Sequence, residues 1–167
     1  MNQYLPYTQA DKENCLEIFK SNTPDFFGAN EEADFADFLE RLPCPYYVLK
    51  VNDEVIGCGG FFVNEEKHTA GLCWGMVKRK FHKHGYGKYI LLKRLDEICN
   101  HTHVEKILLD TSQYSKGFFE KLGFIVYEII QDGYFAGLHR HEMELKLDDS
   151  KKVAIENEMK QLEERLS

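Results

Sequence analysis

Between Lys67 and Leu95 there is no aspartate and no glutamate, in a chain whose formal net charge is -7. Other absences set wider limits. No apolar run approaches the roughly 18 residues that a membrane helix requires, so a membrane partner is not expected. The start of the chain, MNQYLPYTQADKENC, has neither a basic n-region nor an apolar h-region, so export is not expected either. The five cysteines, Cys15, Cys44, Cys58, Cys73 and Cys99, are odd in number and form no CxxC pair. That pattern argues against a disulfide framework and points to a reduced, cytoplasmic setting. With a pI near 5.5, one local basic strip falls short of the basic face that nucleic acid requires, so no nucleic-acid partner is expected.

What is present suits one globular domain. Its 167 residues are 43% hydrophobic and 13% aromatic, enough for a proper core. A short strand over Tyr4–Thr8 leads into a helix over Asp11–Lys20, with Thr8 and Asp11 at capping-box spacing. After the loop SNTPDFFGAN, Phe35, Phe38, Leu39 and Leu42 mark one stripe of a second helix, Glu31–Arg41. YYVLKV and VIGCGGFFV flank the turn Asn52-Asp53-Glu54, and Thr69–Val77 reads as a third member of a meander. Gly85–Cys99 is an amphipathic helix. EKILLD is a short apolar run, expected to be a strand buried on both faces. Tyr114–Leu122 is a short helix stopped by Gly123, FIVYEIIQ and LHRHEMELKL are two more strands, and the tail is a helix with Ile155, Met159, Leu162 and Leu166 aligned. The order β-α-α-β-β-β-α-β-α-β-β-α predicts an α/β (α+β) fold with a mixed sheet and helices on both faces.

The acid-free strip contains VKRKFHKHGYGKYILLKRL, a glycine-broken basic loop where a helix begins. Glycine permits a tight turn and close approach of a ligand. The first amides of a helix lack intrahelical partners and lie at the positive end of its dipole. Together these make an anion site, suited to pyrophosphate. The bland alternative is a glycine-capped turn with a solvated basic face. A dinucleotide fingerprint is excluded, because Ile90 stands where the third glycine belongs. A Walker A sequence is absent as well.

The segment resembles the acyl-CoA loop of the GNAT N-acetyltransferase superfamily: a strand ending in Val77, then His82-Lys83-His84-Gly85-Tyr86-Gly87 opening a helix. TSQYSKGFFEKLGF, Thr111–Phe124, is similar to the family's second signature, and AGLHRHEMELKL to its closing strand. The resemblance covers about Tyr4–Leu147. It implies a GNAT fold with a mixed, mostly antiparallel sheet over residues 1–147, followed by an accessory amphipathic helix over 148–167. It also implies acetyl-CoA as acyl donor, held along Gly75, Met76 and Val77, then by His82, Lys83, His84, Gly85, Tyr86, Gly87 and Lys88, with Ser112 and Phe119 lining the arm. The implied activity is transfer of an acetyl group to a primary amine of a small molecule or peptide, by direct attack in a ternary complex.

This chain departs from the family pattern. His82 replaces the usual Arg or Gln, and Ser112 replaces an Asn that binds the pantetheine arm. Phe119 stands where many members have a Tyr acid. The expected face of the third meander strand, Gly71, Cys73 and Gly75, has no carboxylate to act as base. The substitutes within reach are Asp110, as base or ammonium holder, and Tyr114, as acid. Their plain readings are a turn carboxylate and a first-turn aromatic. His139 and His141 share a face of the last strand; no metal is assigned to them, because no further ligands accompany the pair. Asn22, Asp25, Phe26, Phe27, Tyr134 and Phe135 fall on the family's substrate side, where acid and aromatics suit a cationic amine. Without the usual acid and base, a non-catalytic acyl-CoA-binding or interaction module is the alternative. The tail helix or a sheet edge offers a route to a homodimer.

Overall fold

Seven strands and five helices are laid out along the chain, and a computed structural model describes all of it, Met1–Ser167. In chain order they are β1 (Asn2–Pro6), α1 (Lys12–Ser21), α2 (Glu32–Arg41), β2 (Tyr46–Val51), β3 (Glu54–Asn64), β4 (Thr69–Val77), α3 (Tyr86–Cys99), β5 (Lys106–Ser112), α4 (Lys116–Glu120), β6 (Ile125–Phe135), β7 (Leu138–Lys146) and α5 (Asp149–Leu166). The expected element order is therefore found. The largest shift is at β6, expected to end at Gln131 and found to run on to Phe135; β1 pairs Asn2 with Val51 through Pro6 with Tyr47 and ends two residues before Thr8. Thr8 and Asp11 do meet, the Thr8 amide donating to Asp11 Oδ2 at 3.0 Å. The turn they close is a single 3-10 turn, Gln9–Asp11, ahead of α1.

The sheet runs β1-β2-β3-β4-β5-β7-β6. Every neighbouring pair is antiparallel except β4 and β5. One face buries Leu49, Ile56, Ile107 and Met143 beneath Ile90 and Leu95 of α3 and Ile155, Met159 and Leu162 of α5. On the other, Ile18 and Phe19 of α1 and Phe35 and Leu39 of α2 cover Val48, Cys58 and Met76. That second layer stops at β4. EKILLD is consequently not buried on both faces: Ile107 and Leu109 are buried, Leu108 is half-buried and Asp110 is exposed. A continuous apolar run there reflects one covered face and one partly open one.

The tail helix is capped by Asp148, whose Oδ1 accepts the Lys151 amide at 2.8 Å. Its apolar stripe lies against α3 within the main core. Lys88 and Lys93 of α3 pair with Glu158 and Glu163 of α5 at 3.0 and 2.5 Å, so charge as well as apolar area joins the two helices.

Candidate active site

The site is built where the sheet opens. β4 and β5 pair only over Thr69–Gly71 and Lys106–Leu108. Beyond that, β4 stays with β3 as far as Val77, while β5 follows β7 as far as Ser112. A bulge in β4 widens the gap. Cys58 pairs with Met76, but Gly60 pairs with Cys73, so Trp74 and Gly75 oppose Gly59 alone. Trp74 takes φ 44, a left-handed conformation that few non-glycine residues adopt. This corrects the face expected from strict alternation. Gly71 would place a Cβ against the Phe62 ring and Cys73 meets Cys44, whereas Gly75 lies under the Arg94 guanidinium on the α3 side. Strand parity is lost at a bulge, and no local residue type announces it.

At the start of α3, Gly85 has φ 88 and serves as the N-cap. Lys83 just before it has φ 64, so two left-handed residues fold the loop back onto the helix axis. Tyr89 is the first residue bonded along the axis, its amide donating to Gly85 O at 3.0 Å. The amides of Tyr86, Gly87 and Lys88 are thus left facing outward without an intrahelical acceptor, as an anion site requires. Gly87 has Phe118 of α4 3.8 Å from its Cβ position, so α4 forms the facing wall.

The histidines of the loop are engaged internally. His82 donates from Nε2 to Val77 O at 2.8 Å, and its ring meets Phe26 edge-on at 5.3 Å. His84 donates from Nδ1 to His82 O at 2.7 Å. Val77 O also accepts from Asn22 Nδ2 at 2.9 Å. Asn22, expected on the substrate side, is buried and serves as a strut between the end of α1 and the end of β4. Phe27 likewise stacks on Trp74 at 6.2 Å, packing the loop onto the bulge.

The basic strip proves to be balanced largely from within the chain. Lys78 and Lys80 both reach Glu54, at 3.0 and 2.9 Å. Arg79 pairs with Asp25 at 2.8 Å and lies over the Phe26 ring. Lys88 and Lys93 are taken by α5. Lys83 is exposed, forms no ion pair, and stands immediately before the free amides. A second cation arrives from the far end of the chain. Arg165 Nη2 is 3.9 Å from the Cβ position of Gly85, with Leu162 and Leu166 at 3.8 Å. Sequence reasoning missed Arg165, because only the tertiary packing of α5 brings it there.

The remaining predicted residues line the gap. Met76 and Val77 are buried on opposite faces at the end of β4. Ser112 is buried, its Oγ accepting the Tyr114 amide at 3.3 Å, which leaves its hydroxyl hydrogen available. Phe119 packs between Phe118 and Phe124. Tyr114 is 63% exposed at the mouth of the gap. Cys73 lies 3.5 Å from Cys44, and its thiol is held well above the usual range by that contact and by burial. It is protonated at neutral pH, which disfavours a covalent relay.

On the open face of β5, Asp110 accepts the Tyr134 hydroxyl at 2.5 Å. The register sets Asp110 of β5 opposite Glu142 of β7, and Glu142 opposite Glu128 of β6. A rank of three carboxylates therefore crosses the open face. Burial, then the charge of Asp110, raises the Glu142 carboxyl above its ordinary value, with Arg140 opposing. Glu31, from the start of α2, is raised mainly by burial; the Gly28 amide works against this, and Asp110 adds to it. The Tyr134 phenol is pushed far up by burial and by Asp110. Gly28 would place a Cβ 2.8 Å from the Phe135 ring, so the α1–α2 loop and the β6–β7 hairpin close over this rank together. Glu31, Glu128 and Glu142 were not legible in the sequence, since only the pairing register aligns them. His139 Nδ1 accepts the Asp132 amide at 3.0 Å, and His141, two residues further along β7, is buried.

A parted parallel pair, a bulged strand at the parting and a glycine-opened helix beside it form the architecture of this site. The model of the acetyltransferase (GNAT) family matches residues 13–124, about two thirds of the chain. The protein belongs to the GNAT acetyltransferase family. No curated protein sequence matches it. Its fold is shared with solved structures of low identity. One is the ribosomal-protein-S18-alanine N-acetyltransferase of Escherichia coli, at TM-score 0.71 and 18% identity over 89% of this chain and 95% of that one. Another is an N-acetyltransferase of Staphylococcus aureus, at 0.68 and 14%, covering 89% and 99%. A third is the ribosomal-protein-alanine N-acetyltransferase of Brucella melitensis, at 0.67 and 16%, covering 87% and 99%.

Proposed function

We propose that this enzyme is an acetyl-CoA-dependent N-acetyltransferase acting on a primary amine of a small molecule or peptide. The observation that carries this reading is the gap between β4 and β5. It runs from the free amides of α3 at one end to the carboxylates around Asp110 at the other. The pyrophosphate is held by the amides of Tyr86, Gly87 and Lys88, with Lys83 and Arg165 beside them. The pantetheine arm lies along Val77, Met76 and Gly75, opposite Ser112 and Phe119. A cationic amine enters between the α1–α2 loop and the β6–β7 hairpin, drawn by Asp110, Glu142 and Glu31.

Asp110 takes the proton from the ammonium, and Tyr134 holds that carboxylate in place. Tyr114 is the acid candidate. Holding amine and thioester together supplies several kcal/mol in its own right. The five free thiols fit a cytoplasmic setting. We assign the acetyltransferase domain to residues 1–147 and treat 148–167 as an accessory helix. With the α5 stripe buried on α3, the β6 edge, bearing exposed Ile125, Tyr127 and Ile129, is the surface left for a second copy.

Phe119, which has no proton to give, favours a second reading as a non-catalytic acyl-CoA-binding module. Thermal melts with acetyl-CoA, CoA, ATP and NAD at equal concentration come first. A ligand at about 100 times its dissociation constant adds roughly 2.7 kcal/mol. Stabilisation by the two CoA species alone supports the donor site; stabilisation by none removes it. CoA release over an amine panel then separates enzyme from binding module.

A further inference from the structure

Arg94 is 5% exposed, yet no carboxylate pairs with it. From α3 it donates through Nε to Ile90 O at 3.3 Å and through Nη1 to Gly60 O at 3.2 Å. Nη2 has no acceptor. The guanidinium lies flat in a slot kept open by glycines: a Cβ on Gly59 would stand 3.1 Å from Cζ, and one on Gly75 2.6 Å from Nη2. Gly75 is exposed and forms the β4 rim of the gap. A buried cation without a counter-charge is strongly unfavourable, and a ligand anion removes the penalty.

We propose that Arg94 is a catalytic residue whose Nη2 stabilises the CoA thiolate as it leaves. This rests on the acetyl-CoA reading above. An arm threaded along Val77, Met76 and Gly75 brings its sulfur to the Gly75 rim, beside Nη2. The chemistry calls for such a charge. The amine nitrogen adds to the thioester carbonyl carbon, forming the C–N bond and moving the carbonyl pair onto oxygen. When that pair returns, the C–S bond breaks and its electrons leave on sulfur, while the second nitrogen proton passes to water, because Asp110 already holds the ammonium proton. The products are the amide, the CoA thiolate, a protonated Asp110 and one proton released to water. With Phe119 unable to donate, pairing the thiolate with Arg94 lets its protonation, by Tyr114 or water, follow departure instead of accompanying it.

The test is the thiol pKa of bound CoA, read from thiolate ultraviolet absorbance with the desulfo-CoA complex as blank. In the wild-type protein it should lie at least a unit below the free value of roughly 8.5. In Arg94→Met it should return to that value or above, with Arg94→Lys in between. Turnover of acetyl-CoA in Arg94→Met should fall on the order of 10²-fold in kcat, with KM little changed. An undepressed thiol in the wild type, or the same value in wild type and Arg94→Met, overturns the proposal while leaving the donor site intact. If CoA neither binds nor shifts the wild-type melt, the acetyl-CoA reading falls and this proposal with it. Should Arg94→Met not fold, the wild-type and Arg94→Lys titrations still decide.

Discussion

Tyr134 gives its hydroxyl to Asp110 across 2.5 Å, joining the β6–β7 hairpin to the end of β5 at the mouth of the gap. Burial and the neighbouring carboxylate both keep the phenol protonated, so it acts as a fixed donor and not as a titrating acid. That bond fixes the carboxylate which, on the reading proposed above, takes the ammonium proton. Asp110→Asn should therefore lower kcat/KM for the amine by about 10²-fold or more, the usual range for a lost general base. Tyr134→Phe should have a smaller effect, about tenfold, through lost positioning of the carboxylate. Equal losses in both variants would show that the pair only positions the hairpin.

Glu142 sits between Asp110 and Glu128 in one rank across three strands, and like charges set directly opposite are destabilising by roughly 0.2–1 kcal/mol. Its raised carboxyl fixes the sign of the pH effect. The contribution of Glu142 is fully present below the unfolded value of about 4.3. It is lost as pH rises through the higher folded value, because ionisation costs the native state more. Glu142→Gln should thus match the wild type near pH 4 and melt higher at pH 7, with a gain that shrinks in high salt. A lower melting temperature at pH 7 would mean that the Arg140 contact outweighs the repulsion.

Much of this fold was legible because its signals are local. The bounds of β4, Thr69 and Val77, were expected from its residues and found unchanged, and Gly85 stands at the helix start where its backbone freedom is needed. What stayed hidden depends on partners far along the chain. The acid-free strip reads as a site awaiting an external anion, but Lys88 is answered by Glu158, 70 residues later, and Lys78 by Glu54 from the neighbouring strand. Three carboxylates spread over residues 110–142 become one rank only through strand register. Trp74 reverses the parity of β4 through a left-handed backbone that its residue type gives no reason to expect.

That division of charges ranks the cations of the proposed donor site. Lys83 is unpaired before the α3 amides, and Arg165 comes within reach of Gly85 only through α5. Lys83→Ala and Arg165→Ala should each weaken CoA binding by about 1 kcal/mol, roughly fivefold in Kd, and should flatten its salt dependence. Lys88→Ala should cost less, because its ammonium is already held by Glu158. Titration calorimetry at two salt concentrations separates these cases. A larger effect from Lys88 would mean that the Glu158 pair opens when CoA binds.

Met159 and Leu162 of α5 are 4% and 3% exposed and belong to the same apolar cluster as α3. Met159→Ala removes buried contacts that the facing helix cannot collapse to replace, so unfolding should become easier by roughly 2–4 kcal/mol. Because Leu162 also lies 3.8 Å from the Cβ position of Gly85, Leu162→Ala carries a further consequence. The last turn of α5 loosens, Arg165 leaves the loop, and CoA affinity falls together with stability. Met159, a turn earlier, should reduce stability with little effect on affinity below the melting transition. Denaturant unfolding and CoA titration on both variants test this coupling. If Leu162→Ala weakens folding but binds CoA as the wild type does, α5 supports the core without shaping the donor site.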